Sequence, residues 1–361
     1  MTKRFLPLLL FPLLTVANAD DIRVLVTTAS KGIYQTILDT ETNRLSKATQ
    51  LTDTTGTSFA TLSPDKTHLY TCAKGGVSAF KIESDALTEL NHQPWPEGKG
   101  FCYVALDATG KTLLAADYGA GKVASYRIQE DGKIGPLVSH HTHQGSGPHR
   151  RQKSPHAHCI VPGPDNNFAY AADLGTDEIF YYRIDHKTSA LSPAGKVKLA
   201  PGAGPRHLKF GPNGRFAYVL NELDLTVTTL QRKGGGNGAL AVRGSTKVYT
   251  ESNSEGMTAS EIVLTKDGKR AYAAIRDTAG TNRDHITMLT IENDGKTAAP
   301  YGAHLGVKIP RNIALTPNGS HLLTAARKSG RLSVSTLKPD GHFGICNFGT
   351  GIPAPMCILF P

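Results

Sequence analysis

Apolar and polar residues in this chain alternate in short β-rich runs, and pairs of runs are joined by a turn of nearly constant chemistry. The unit occurs six times: S-P-D-K-T-H-L-Y-T-C, D-A-T-G-K-T-L-L-A-A, G-P-D-N-N-F-A-Y-A-A, G-P-N-G-R-F-A-Y-V-L, T-K-D-G-K-R-A-Y-A-A and T-P-N-G-S-H-L-L-T-A. Its second residue falls at Pro64, Ala108, Pro164, Pro212, Lys266 and Pro317. Proline presets φ for a turn, and glycine or asparagine accepts φ > 0. Two residues past the marker stand Lys66, Gly110, Asn166, Gly214, Gly268 and Gly319. Six past it stand Tyr70, Leu114, Tyr170, Tyr218, Tyr272 and Leu323, which read as one core layer repeated.

A second strand pattern follows each turn, as at 178–184 and 331–337. Markers lie 44 to 56 residues apart. Repeats of that length, rich in short strands and without helical or leucine-rich signatures, predict propeller blades. A seventh blade can be assembled from both ends, with strands at 24–28 and 32–38 in front and 356–360 behind. Closure by both termini removes the exposed edge. The expected fold is all-β, a seven-bladed β-propeller over residues 20–361. The longer spacings are assigned to loops at 138–154 and 232–256. Gly234–Gly236 is a loop and not a phosphate cradle, because no helix follows it.

The first residues form an address. Lys3 and Arg4 precede an apolar run, 5–16, and then Ala17-Asn18-Ala19. A charged region, an apolar region and an A-x-A site predict a signal peptide over 1–19, cleaved after Ala19. The run is too short to span a bilayer, and no later segment resembles a transmembrane span. Export to a periplasm or beyond is expected. The formal charge of +10 is scattered along the chain, which argues against nucleic acid and weakly favours anionic ligands. Five cysteines include no C-x-x-C. Cys346 could pair with Cys357, and Cys72 with Cys102, but free buried thiols are expected for at least three of the five.

The repeat frame locates the chemistry. Six residues before the marker, on the channel-lining strand, stand Ser58, Cys102, His158, Arg206, Ser260 and Arg311. Ten after it stand Lys74, Tyr118, Leu174, Glu222, Arg276 and Arg327. A hairpin centred on Asn213-Gly214 sets residue 206 opposite 222, and the same arithmetic sets His158 opposite Asp173. Alternate residues share a face, so His156 and His158 point together. His158, Arg206, Glu222, Arg276 and Arg311 are therefore expected around one mouth of the channel. His158 and Glu222 are candidate proton carriers. The arginines could clamp a carboxylate or phosphate, or stabilise an oxyanion. A structural Arg206–Glu222 pair in a polar channel is the other reading. His156 and His158 could hold a metal with His149 or with His140, His141 and His143, but no carboxylate partner is set by spacing. The expected number of metals and cofactors is none. His140–His143 is expected on an exposed loop, and Trp95 in a packed one. No G-x-S-x-G elbow, P-loop, H-E-x-x-H or dinucleotide fingerprint is present.

Over nearly its whole length the chain resembles the seven-bladed propeller lactonases of the bacterial 6-phosphogluconolactonase type. The resemblance rests on R-Q-x-x-P-H-x-H at Arg151–His158 and A-D-L-G-T-D at Ala172–Asp177. G-P-R-H-L-x-F at Gly204–Phe210, Y-V-x-N-E-L at Tyr218–Leu223 and P-R-N at Pro310–Asn312 add to it. The family is related to fungal carboxymuconate cyclases, whose proposed site of one His, two Arg and one Glu falls on His158, Arg206, Arg276 and Glu222. The chain departs from the family at Phe101-Cys102-Tyr103, at Ala274-Ile275-Arg276-Asp277 and at Ala325-Ala326-Arg327-Lys328.

The resemblance implies an exported hydrolase that opens a lactone of a sugar acid or another carboxylated small molecule. His158 or Glu222 would activate water, and Arg206 and Arg276 would hold the acid group and stabilise oxyanion charge. Arg151, Gln152, His156, Asp173 and Arg311 would bind substrate. A lactonising cycloisomerase, and a non-catalytic propeller that binds an anionic ligand or an envelope protein, are the alternatives.

Overall fold

The computed structural model describes residues 21–349 and 351–361. The leader expected at 1–19 lies outside them. The described residues form seven antiparallel sheets arranged as the blades of a propeller. Blade I contains Asp21–Thr28, Ile33–Asp39, Arg44–Leu45 and Thr49–Thr52 from the front of the chain. Its innermost strand is Pro355–Leu359 from the back, paired antiparallel to Asp21–Thr28. The other blades take four consecutive strands each, with first strands Ala60–Leu62 (II), Tyr103–Leu106 (III), Ala157–Pro162 (IV), Pro205–Phe210 (V), Met257–Leu264 (VI) and Pro310–Leu315 (VII). The first strands of successive blades pack on one another, and Pro355–Leu359 on Ala60–Leu62 completes the ring.

The turn chemistry behaves as its residues dictate. All six positions two past the marker have positive φ: Lys66 at 61°, Gly110 at 71°, Asn166 at 58°, Gly214 at 65°, Gly268 at 68° and Gly319 at 75°. The turns also join the blades. A Cβ on Gly214 would lie 2.7 Å from Pro164 Cβ, and one on Gly268 would lie 2.8 Å from Pro212. Pro64 likewise lies 2.8 Å from a Cβ on Gly110, so three of the four marker prolines pack on the glycine of the next blade. The repeated layer is buried throughout: Tyr70, Leu114, Tyr170, Tyr218, Tyr272 and Leu323 are all 3 % exposed or less. Three of its hydroxyls reach the next blade, Tyr70 to Gly132 O at 3.0 Å, Tyr170 to Gly238 O at 2.8 Å and Tyr272 to Gly341 O at 2.8 Å. Each such bond contributes about 1 kcal/mol net and spares a buried hydroxyl from going unpaired.

Several local expectations change. Residues 138–142 belong to the outer strand Ile134–Thr142, and Leu240–Lys247 is a strand within 232–256. The extra spacing is therefore partly outer strand and only partly loop. His140 and His141 lie on that outer strand, and His143 is 3 % exposed. Trp95 is packed, its indole donating to Asp117 Oδ2 at 2.7 Å. All five cysteines are free, with Cys72, Cys159 and Cys357 buried, so neither considered pairing forms.

The hairpin register also differs. Asp173 pairs with Ala157 and Asn221 pairs with Pro205, and the ladder then skips to Cys159 and His207. Pro310 and Asn312 flank the same irregularity in blade VII. His158, Arg206 and Arg311 are thus the extra residues of β-bulges. A bulge re-aims the side chain it carries. Strict alternation does not reveal it, which is why counting from the turn missed the register by one.

Candidate active site at the channel mouth

Side chains of blades IV, V and VI, and of the loop before blade IV, meet on one carboxylate. Glu222 follows the strand Phe216–Asn221, and its backbone N–H donates to Gly204 O at 2.7 Å. Its Oε1 lies 2.7 Å from Arg151 Nη1 and 3.2 Å from Arg276 Nη2. Its Oε2 lies 3.0 Å from Arg206 Nε and 3.9 Å from His158 Nε2. The Glu222 side chain is only 5 % exposed. Burial alone would raise its pKa, but Arg276, Arg206 and Arg151 outweigh that and hold it at about 2. The carboxylate is an anchor for cations and carries its charge at any neutral pH.

The anchored cations are themselves buried. Arg206, 1 % exposed, donates through Nη1 to Ser260 O and to the His207 ring at 3.0 Å. His207 in turn donates from Nδ1 to Glu261 Oε1 at 2.8 Å, and Asn312 Nδ2 donates to Glu261 Oε2 at 2.7 Å. A second buried carboxylate thus supports Arg206 from beneath. Burial pushes Glu261 up, and His207 and Lys209 pull it down to about 2. Arg276 donates to Ala259 O at 2.7 Å, while its Nε has no hydrogen-bond partner. Burial lowers Arg276 to about 10, against the opposing pull of Glu222. Arg311 is half-buried, and among the described residues no hydrogen bond or ion pair engages its guanidinium. Burial lowers its pKa well below the ordinary value, with Arg206 and Arg276 adding to the effect.

His158 is 4 % exposed and its Nδ1 is buried without a partner. Burial, then the charge of Arg206 and the neighbouring His207, lowers it well below 6.5. The imidazole is therefore neutral, with proton-accepting capacity unused. Its ring meets Tyr118 and His207 edge-on, each at 5.3 Å between centroids.

Glu222, His158, Arg276, Arg311 and Arg151 line a cavity of about 670 Å³, together with Cys102, Tyr118, Thr258 and Arg150, while Arg206 lies behind them and does not line it. That volume suits a sugar-sized ligand. His158, Arg206, Glu222, Arg276 and Arg311 come together as the repeat frame predicts, and Arg151, expected as a substrate contact, joins them. Three other expected substrate contacts do not line it. Asp173 is fully buried and turned away, with Oδ2 2.6 Å from His143 Nδ1 and Oδ1 accepting from the N–H groups of His156, Gly175 and Thr176. Gln152 is also fully buried, donating to Leu174 O and Asp177 Oδ1. His156 donates from Nδ1 to Tyr118 O at 2.9 Å and stacks on the Tyr118 ring at 4.4 Å. All three build the wall behind the cavity.

Tyr118 was visible in the frame but not chosen. It presents its hydroxyl to Arg151 Nη2 at 3.1 Å. Thr258 had no signal, since it precedes the repeated window, yet its buried Oγ1 lacks a partner at the cavity wall. His207 and Glu261 were equally hidden. The histidines considered for a metal are dispersed: His143 binds Asp173 and Tyr182, and His141 binds Leu191 O. Among the described residues no group of three or more His, Cys, Asp or Glu could hold a metal ion. Nor is any helix among them long and apolar enough to cross a membrane.

An arginine-loaded carboxylate and a neutral histidine thus share one cavity of the propeller. The sequence profile of the family described as "Lactonase, 7-bladed beta-propeller" matches residues 23–360, and the chain belongs to that family. It is 32 % identical over 343 residues to a 6-phosphogluconolactonase of Bacillus subtilis, covering 92 % of this chain and 95 % of that one. A solved structure from Lactobacillus plantarum superposes with a TM-score of 0.88 at 26 % identity, covering 94 % of this chain and 99 % of that one. The periplasmic gluconolactonase of Pseudomonas aeruginosa superposes with a TM-score of 0.86 at 25 % identity, with the same coverage.

Proposed function

We propose that the protein is an exported lactonase that hydrolyses the ring ester of a sugar-acid lactone at the channel mouth. The observation that carries this is the pairing, in one cavity, of a neutral histidine, its Nε2 3.9 Å from Glu222, with the guanidinium of Arg311, which no hydrogen bond or ion pair among the described residues engages. His158 takes a proton from water as the oxygen attacks the lactone carbonyl. Arg276 faces the charge that grows on the carbonyl oxygen, where preorganised cations act most strongly, and Arg206 holds Glu222 from behind. The imidazolium formed is stabilised by Glu222, 3.9 Å away. The ring C–O bond then breaks, and its oxygen leaves as an alcohol by recovering the proton from His158. Arg311 receives the acid group of the substrate.

The names of the relatives support the lactone class, and the periplasmic neighbour supports export. Hydrolysis of 6-phosphogluconolactone and gluconolactone by the purified protein tests the reading. His158→Ala and Glu222→Gln are expected to lower kcat by about 10²–10⁴. If both variants keep the wild-type rate, the site is wrong. If no lactone opens while 6-phosphogluconate binds at the mouth, the protein is a binding module.

A further inference from the structure

We propose that Asp177 is a positioning residue that ties the Arg151 loop to the backbone of Glu222 and so sets the geometry of their ion pair. This rests on the reading of Glu222 and Arg151 as working groups of the cavity. Asp177 lies between the strands Phe168–Asp173 and Glu178–Ile184, is 1 % exposed, and does not line the cavity. Its φ is 59°, a left-handed conformation that costs a non-glycine residue about 1–2 kcal/mol. Such strain persists only where the surroundings over-determine it. Here three donors do so. Oδ1 accepts from Gln152 Nε2 at 2.6 Å and from Gly204 N at 2.8 Å, and Oδ2 accepts from Gly202 N at 2.7 Å.

Each arm leads to the same place. Along the first, Gln152 Oε1 accepts from His149 N at 2.9 Å, and Gly147 N donates to Gln152 O at 2.9 Å. These bonds close the turn that carries Arg151. A Cβ on Gly147 would lie 2.5 Å from Gln152 Oε1 and 2.9 Å from Asp177 Oδ2, so the turn is pressed directly onto the hub. Along the second arm, Gly204 O accepts from Glu222 N at 2.7 Å and Ala203 O from Leu223 N at 3.1 Å. The backbone of Glu222 therefore hangs from the loop that Asp177 holds. Arg151 and Glu222, 71 residues apart, meet at 2.7 Å over a carboxylate that touches neither side chain.

The test uses the full mature protein and four variants: Asp177→Asn, Gln152→Ala, Arg151→Ala and Glu222→Gln. Gln152→Ala cuts one arm only and carries the test if Asp177→Asn fails to fold. Displacing a catalytic contact by about 1 Å can cost 10²-fold, so Gln152→Ala is expected to lower kcat on 6-phosphogluconolactone by about tenfold to a hundredfold. KM should stay within about twofold, and Gln152→Ala should cause no further loss in the Arg151→Ala background. A purely structural role would lower the melting temperature and leave kcat per folded molecule unchanged, which overturns the proposal. A crystal structure of Gln152→Ala that keeps the Arg151–Glu222 contact at 2.7 Å overturns it too, whether or not any lactone is hydrolysed. Wild-type rates in Arg151→Ala and Glu222→Gln would instead remove the functional reading of the pair.

Discussion

The two ends of the inner hairpins follow opposite rules. At the turn end the copies agree: positive φ at all six positions and a buried Tyr or Leu behind each, with a proline of one blade seated on the glycine of the next at three blade junctions. At the mouth end the equivalent residues are Ser58, Cys102, His158, Arg206, Ser260 and Arg311, and no rule of size or charge relates them. The turn end is a packing device that every blade needs, so each copy meets the same constraint. At the mouth end, bulges in blades IV and V aim His158 and Arg206 at one carboxylate, and the bulge in blade VII carries Arg311, which lines the same cavity. The copies are alike where backbone packing dictates the residue, and they diverge where side chains face the cavity.

That contrast can be broken by experiment, beginning with its strongest consequence. Arg206→Ala leaves Glu222 short of one partner and the His207–Glu261 pair without its cation. Removing one member of a buried charge network costs about 3–5 kcal/mol, to be read from urea midpoints at neutral pH. A loss below about 1 kcal/mol would mean that the mouth is not a coupled network.

Acid should act next. Glu222 is held at about 2, below its ordinary 4.5, so the stability it contributes is complete above pH 4.5 and is lost as pH falls from there toward 2. The shift corresponds to about 3 kcal/mol. Melting temperatures of the wild type should fall across that window more steeply than those of Glu222→Gln. Parallel curves would show that the arginines do not hold the carboxylate down.

Substitutions at the turn end should change stability and spare catalysis. Gly214→Ala forces a Cβ to 2.7 Å from Pro164 at a φ of 65°, with an expected cost of about 1–3 kcal/mol. Lactone hydrolysis per folded molecule should stay at the wild-type level, and a selective loss of rate would erase the division between the two ends. The smallest effect is a gain. Lys66 occupies the left-handed position at 61° where four other copies have glycine, so Lys66→Gly should raise stability by at most ~1 kcal/mol.

Much of the site was legible because the repeat converts sequence spacing into position around a ring. His158, Arg206, Glu222, Arg276 and Arg311 were placed together by counting from the turn. The same counting failed for Asp173, because a bulge adds a residue without changing the hydrophobic alternation around it, and Gln152, taken from the family motif, lies on a loop outside the frame. Tyr118 stood in the frame but offered no ionisable pattern to mark it. The support of Arg206 by His207 and Glu261 depends on two adjacent residues facing the channel together. A regular strand forbids that arrangement and a bulge permits it.

By itself, then, the sequence determined the blade count, the turn conformations, the buried layer and the closure by both termini. Each of these follows from local backbone preference repeated often enough to be unambiguous. Only the tertiary structure decided which charged groups share a carboxylate, which expected ligands are wall, and how Asp177 comes to lie beneath the Arg151–Glu222 pair. Those outcomes depend on bulges and on contacts between residues dozens of positions apart, where the energy comes from mutual burial of charge rather than from any local preference of the chain.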